Sequence, residues 1–572
     1  MSCLRVIVIL LFLSPLSLNA QTVNRNDIVI GEIMSDPTPQ VGLPNVEWIE
    51  LINTSSSSIN LQGWRIGDAT GLSGPMPAFV LQPDSFVIVT TSSAVAAMSA
   101  FGRAISVTSF PSLDNEGEQL NLRSAQGRII HAISYSKSWY RNPVKSEGGW
   151  TLEMVDTKNP CSGISNWKAS VDPSGGTPGK RNSVTAANAD LLPPQLKKAY
   201  TTDSVTIILV FDEPLDSTSS SITANYSVTN NIVISSATAI TPMFTSVQLK
   251  LAQPLQRAIV YTITARSVTD CKGNVVGVVN SAKVGLPEDA AAKDVVINEI
   301  LFNPRTGASD YVELYNRSNK IIDAGKLYIA NRNSNGVLSS LKKISETPFY
   351  IFPGEYIAIT EDAENLEINY LVKNKDAVLI LSVLPSFPDD EGTVVLVNTQ
   401  GSVVDEVHYF DDWHFDLIRD DEGVALERIE PDGPSQDKNN WHSAASTAGY
   451  GTPGYKNSQY KQPAIGKATI EILPKVFSPD NDGRDDFATI SYQLNVSGYV
   501  ANITIFNAAG RLVRHLVKND ILGLTGSWNW DGLDEKRQKL PVGTYIIYTE
   551  LFNLQGKKER FKNVVVLARR LK

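Results

Sequence analysis

"GGTPGKRNS" (175–183) and "YGTPGYKNS" (450–458) share the pattern Gly-Thr-Pro-Gly-x-x-Asn-Ser. Two readings compete for it. Gly449, Gly451 and Gly454 spell GxGxxG, the glycine pattern of a dinucleotide-binding loop. The alternative is a terminal turn that closes two copies of one domain. A dinucleotide loop follows a strand and opens a helix whose N-terminus receives the pyrophosphate. Here Pro453 sits inside the glycine triad, no helical pattern follows Gly454, and Ser174 stands in the first copy where the first glycine should be. The turn is the better reading, and it makes the chain an assembly of modules.

The echo extends through both copies in order. "IVIGEIMSDP" (28–37) matches "VVINEILFNP" (295–304), and "EWIELINTSSSSINLQGW" (47–64) matches "DYVELYNRSNKIIDAGKL" (310–327). "LQPDSFVIVTT" (81–91) answers "IFPGEYIAITE" (351–361), and "DNEGEQLNLRSAQGRIIHAISYSKSW" (114–139) answers "DDEGTVVLVNTQGSVVDEVHYFDDW" (389–413). Leu152-Glu153 and Asn166-Trp167 recur as Leu426-Glu427 and Asn440-Trp441. An extra stretch of about ten residues in the second copy is what a surface loop absorbs. Short Val/Ile/Tyr-rich runs between Gly, Pro, Asn and Asp clusters predict strands, and "NTQG" before "SVVDEVHY" predicts a hairpin turn at Gly401. Helical periodicity is confined to a short segment at 93–101. The expected fold class is all-β, as tandem β-sandwiches.

These motifs resemble the lamin tail domain, an immunoglobulin-like β-sandwich of nuclear lamins that also occurs with other modules in secreted bacterial proteins. The resemblance covers 27–184 and 293–458. It departs where Gly63-Trp64 becomes Lys326-Leu327, so a core aromatic must be replaced there. Between the copies, 190–286 reads "VTIILVFDEPLDS", "NYSV" and "YTITARSVTDCKGN", which resembles the surface-layer type of Ig-like domain. After a linker at "KQPAIGK", 469–572 carries "FSPDNDGRDD", "WNWDG" and "LPVGTY" with a basic end. That segment resembles both the Ig-like domain of flagellar hook-capping proteins and the C-terminal sorting domain of type IX secretion in Bacteroidetes. A basic terminus suits a sorting signal and equally an ordinary solvated end.

A chain of 572 residues exceeds one core, and a net charge of −9 lacks the basic face that nucleic-acid binding needs. The start, "MSCLRVIVILLFLSPLSLNAQ", has Arg5, an apolar run and the small residue Ala20, as a signal peptide over 1–20 does. The run is too short for a membrane anchor, and no later segment predicts a span. The mature chain is therefore expected outside the cell or on its outer surface. Cys161 and Cys271 are the cysteines left after cleavage. Their isolation argues against a disulfide scaffold or a cysteine zinc site, so hydrophobic cores are expected to supply stability, with Cys271 a small filler.

Chemistry is sparse. The five histidines give no HExxH, and neither GxSxG nor GxxxxGK[ST] occurs. Glu50 and Glu313 recur, as do Glu153 and Glu427, which raises a paired-carboxylate hydrolase; their place within shared strand motifs raises structural hydrogen bonding instead. No catalytic residues and no cofactor are expected. Asp480, Asp482 and Asp486 lie in a glycine-bearing loop, where hard oxygens on alternate residues can converge on calcium; a solvated turn has the same composition. The acid-rich "DDWHFDLIRDDE" reads as a charged loop, with His408 and His414 as exposed bystanders. The expected protein is non-catalytic, exported and adhesive or scaffolding, with a cell-surface or extracellular protein or glycan as partner. A carbohydrate-binding accessory to a hydrolase, and a hydrolase with its site between modules, are the alternatives.

Overall fold

The computed structural model describes residues 23–418, 420–461 and 467–569. The expected signal peptide and most of the linker at 461–467 lie outside these residues. The chain divides into two compact units, one formed mainly by residues up to 283 and the other by residues from 284 onward.

The first unit opens with a six-stranded sheet in the order Trp167–Ala169, Leu152–Met154, Ile28–Met34, Trp48–Asn53, Phe86–Thr90, Ala104–Ser106. Its inner face packs on the sheet of Arg65–Gly67, Gln119–Arg123 and Ile129–Ser134, and Ile30, Leu51, Val87, Leu120 and Trp167 are among the buried residues of that core. The strand Ile28–Met34 is buried on both faces. Its outer face is covered by a second cluster of Met34, Leu43, Trp48, Ile88 and Met98. Met98 comes from the one-turn helix Val95–Met98, inside the segment with helical periodicity. Residues Leu196–Val284 then form a four-stranded and a three-stranded sheet.

The cysteine expectation is overturned here. Cys161 and Cys271 form a disulfide across a sequence separation of 110, with Cα atoms 6.4 Å apart. Their isolation in sequence hid the pairing, because each lies in a turn of a different module and the modules meet there. Around it Lys272 Nζ donates to Lys158 O at 2.8 Å and Arg25 Nη1 to Leu215 O at 2.7 Å, while Arg25 stacks 4.1 Å from the centre of the Phe244 ring. Desolvation lowers the Arg25 pKa to about 10.

The second unit repeats the six-stranded sheet in the same spatial order, from Val378–Ile380 through Tyr356–Thr360, Tyr311–Asn316, Val295–Leu301 and Leu426–Arg428 to Trp441–Ser443. The facing sheet has four strands, because the extra residues expected as a loop form the paired edge strand Leu338–Lys343. Gly401 turns the hairpin between Glu391–Asn398 and Val403–Phe410 with φ +76°. Leu327 takes the buried position that Trp64 has in the first copy. The C-terminal residues form a three-stranded and a five-stranded sheet around Trp530, Tyr545 and Phe477. They join the second copy through Phe415 packed with Val500 and Ile521, and through Ser446 Oγ donating to Ile521 O at 3.0 Å.

His414 is not an exposed bystander. It is 8% exposed, its Nδ1 lies 2.9 Å from Ser443 Oγ, and desolvation pulls its pKa down to about 4. The acid-rich loop folds back over the sheet and buries it against Phe302.

Candidate functional site

The recurring acids meet the recurring turn. In the first copy Glu153, Glu32 and Glu50 are directly opposite one another on three neighbouring antiparallel strands. In the second, Glu427, Glu299 and Glu313 are aligned in the same way. A β-bulge at Gly31, and at Asn298 in the second copy, shifts the register by one residue and brings the central glutamate onto the outer face beside its neighbours. All six are 0% exposed.

The Gly-Thr-Pro-Gly turn is the lid on these carboxyls. Thr177 N donates to Glu32 Oε1 at 2.7 Å, and Gly179 N donates to Glu50 Oε2. The second copy repeats this with Thr452 N on Glu299 at 2.8 Å and Gly454 N on Glu313 at 2.6 Å. Ser183 Oγ and Ser458 Oγ each reach the outer glutamate, Glu153 or Glu427, at 2.8 Å. Asn182 Nδ2 and Asn457 Nδ2 bridge two strand carbonyls apiece, at 2.8 and 2.9 Å in the first copy and both at 2.9 Å in the second. The threonine, the second glycine, the asparagine and the serine of the motif thus each have a bonding task in both copies. Gly179 also needs its freedom, because its φ is +76° and a Cβ there would lie 2.6 Å from Gly102 Cα.

Three carboxyls side by side cannot all be ionised in a dry site. Desolvation first, and the neighbouring acid second, push Glu32, Glu50, Glu299 and Glu313 well above the usual carboxylate range. The hydroxyl geometry requires the same. Thr452 Oγ1 lies 3.1 Å from Glu299 Oε2 and 2.9 Å from Glu427 Oε1, yet one hydroxyl has one proton to donate. One of those carboxyls must itself carry a proton and donate to the threonine oxygen.

The two copies complete the cluster differently. Glu32 takes a third bond from Thr151 Oγ1 at 2.7 Å. The second copy has Ala425 at that position, and the hydroxyl comes from Tyr311, at 2.9 Å from Glu299, where the first copy has Trp48. Next to the cluster, His131 Nδ1 accepts from Ile30 N at 3.2 Å, and Asp405 Oδ2 accepts from Ile297 N at 2.9 Å in the second copy. His131 is held neutral, its pKa pulled down to about 3 by burial and then by Arg25. Asp405 is paired instead with the fully buried Arg428 at 2.9 Å.

Sequence reasoning found Glu50, Glu313, Glu153 and Glu427 but passed over Glu32 and Glu299, the central members. The signal was there: "GEI" and "NEI" align in the first repeated block. Sealed under the turn and out of solvent, the six glutamates are placed to bind the turn rather than a substrate. Asp480, Asp482 and Asp486 are brought together, with carboxylate oxygens within 4.8 Å of one another. The Asp486 carboxylate also accepts from the N–H groups of Asp480, Asn481 and Gly483, at 3.1, 2.6 and 2.9 Å, so it closes the loop on itself.

Among the described residues no helix is long and apolar enough to cross a membrane. A family model of the lamin tail domain matches residues 21–137 and 288–411, and a model described as the CHU_C type IX secretion signal domain matches 471–567. No curated protein matches the chain. Among solved structures, the N-terminal part of the bacterial S-layer protein SbsC is 15% identical, with 29% of this chain and 40% of that one covered and a TM-score of 0.16. FlgD from P. aeruginosa is 21% identical, with 18% of this chain and 78% of that one covered and a TM-score of 0.14. Latent PorU from Porphyromonas gingivalis is 11% identical over 78% of this chain and 40% of that one, with a TM-score of 0.15. The chain carries two lamin tail domain regions and a C-terminal type IX secretion signal domain.

Proposed function

We propose that this protein is non-catalytic and works at the outer cell surface or beyond it, as an adhesion or scaffolding protein. The observation that carries the reading is the type IX secretion signal region at 471–567, placed behind two lamin tail regions. The Cys161–Cys271 disulfide supports it, since such bonds persist in oxidising compartments outside the cytoplasm. The sealing of the repeated glutamates supports a non-catalytic role, because a substrate cannot reach carboxyls that are 0% exposed.

The test is export in a host with a type IX pathway. The full chain is expected at the cell surface, accessible to added protease, and cells displaying it are expected to bind immobilised extracellular proteins or glycans. Deleting residues 557–572 removes the whole of the last strand, Lys558–Leu567, and is expected to leave the chain in the periplasm. Surface delivery of the truncated chain would refute the sorting role of this module. Surface-displayed protein that binds nothing on such an array would refute adhesion.

A further inference from the structure

We infer that the second lamin tail region is a receptor for the C-terminal module and holds it without need of the covalent tether, so that a cut between them leaves a two-chain protein. This attachment is independent of whether the module acts as a sorting signal and of what the protein binds.

The module brings an apolar face to the contact. Tyr499, Ala501 and Ile503 belong to its core, so strand alternation turns Val500 to the opposite face of the sheet. In a free-standing antiparallel sandwich that face meets water. Val500 is nevertheless 0% exposed and Ile521 4%, and they cluster with Phe415, flanked by Ile418 and Phe552. Phe415 and Ile418 come from the acid-rich loop of the second copy.

Beside this patch the backbone of 521–524 is engaged group by group. Ser446 Oγ donates to Ile521 O at 3.0 Å, Gln459 Nε2 to Leu522 O at 3.1 Å, and Leu524 N to Ser458 O at 3.1 Å. Thr447 Oγ1 lies 2.8 Å from Tyr492 Oη. Gly523 lets the two backbones meet: a Cβ there would sit 2.7 Å from Ser458 O, and the three atoms nearest to it all belong to Ser458. An apolar centre bordered by hydrogen bonds is the anatomy of an interface between proteins. Ser458 also bonds Glu427, so the turn that seals the glutamates carries the module on its carbonyl.

The first copy has no such face. Arg141 stands there where the second copy has Phe415, and Val184 where it has Gln459. The clasp is common to both copies and uses neither side chain; the docking uses both. None of the contacts above involves residues 462–466, which join the two modules. A cut there removes the tether and none of these contacts.

A site for a sequence-specific protease is inserted between Pro463 and Ala464 of the mature full-length chain. After complete cleavage the protein is passed over gel filtration at about 1 µM, which separates partners that bind more weakly than that. Both fragments are expected at the elution volume of the uncut chain. Separate elution, or loss of the C-terminal fragment as a precipitate, would overturn the inference. Gly523→Ala adds one methyl group against Ser458, and Phe415→Asp puts a charge into the apolar patch. Each is expected to weaken retention at least about tenfold in a dilution series, with the circular dichroism of the uncut chain unchanged. Where Phe415→Asp alters the dichroism, Gly523→Ala alone decides. Arg141→Asp, the matching change in the first copy, is expected to leave retention intact. Retention at the parent's level in Gly523→Ala, or its loss in Arg141→Asp, would overturn the assignment of this face.

Discussion

The side-chain amide of Asn298 donates to Glu313 Oε1 at 2.8 Å and to Asn457 Oδ1 at 2.6 Å, tying the bulge, the neighbouring strand and the closing turn of the second copy together. The first copy has Gly31 at that place, and there both Glu50 Oε1 and Asn182 Oδ1 are buried without a partner among the described residues. Asn298→Ala should therefore cost about 1–3 kcal/mol, the penalty of stranding buried polar groups. A denaturation midpoint shift in the second unit reads it. The reverse graft is blocked, because a Cβ at Gly31 would lie 2.1 Å from Ile52 Cδ1. Gly31→Asn should destabilise the first copy, and less so when Ile52→Ala accompanies it.

The carboxyl clusters set a pH dependence whose sign follows from their protonation. Burial and Glu427 raise Glu299 from 4.5 to about 8 in the folded chain. A raised folded pKa means the native state holds the proton more tightly, so the contribution is complete below about 4.5 and is lost as pH rises towards about 8. Melting of the second unit should fall across that window. Glu299→Gln, which is neutral at every pH, should flatten the slope; an unchanged slope would show that the proton resides elsewhere.

Breaking the Cys161–Cys271 bond should cost the first unit about 2–5 kcal/mol, the range for native disulfides. Cys161→Ser with Cys271→Ser should lower the first unit's melting temperature and leave the second unit's unchanged. Non-reducing peptide mapping of the exported chain should recover the linked pair.

Trp167 and Trp441 are 0% and 3% exposed, and each tilts against a second tryptophan, Trp139 at 6.1 Å or Trp413 at 6.3 Å between ring centres. Either Trp→Ala change removes a core side chain and should cost about 3–5 kcal/mol. Loss of less than 1 kcal/mol in either variant, by urea unfolding, would contradict the packing.

Calcium occupancy of the Asp480–Asp482–Asp486 loop predicts that millimolar calcium raises the melting temperature of the C-terminal module by mass action. Asp482→Ala should abolish the rise and leave the fold intact, as Asp482 is exposed and outside the strands. Melting that ignores calcium would leave Asp486 with its loop-closing hydrogen bonds as its whole role.

The β architecture was legible because period-two alternation and turn residues report directly on strands, and the duplication was legible because order was kept. What could not be read were contacts set by modules meeting in space. Cys161 and Cys271 are separated by 110 residues, and nothing near either residue encodes the other. His414 looked exposed because acids flank it, yet Phe302 and Ser443 enclose it from distant strands. The glutamate clusters were half visible: the outer pairs stood out, whereas Glu32 and Glu299 are brought into line by a bulge, a shift in register that leaves no periodic trace.

The clasp also imposes an order on folding. Thr177 bonds to a glutamate 145 residues earlier, and Thr452 to one 153 residues earlier. Until that last turn is made, each copy has its carboxyls in place and nothing to cover them. A chain cut between the last strand of a copy, Trp167–Ala169 or Trp441–Ser443, and the turn that follows it keeps the strands of that sheet but leaves its row of acids without the turn's hydrogen bonds. Each copy is thus expected to gain part of its stability only when its own final residues arrive.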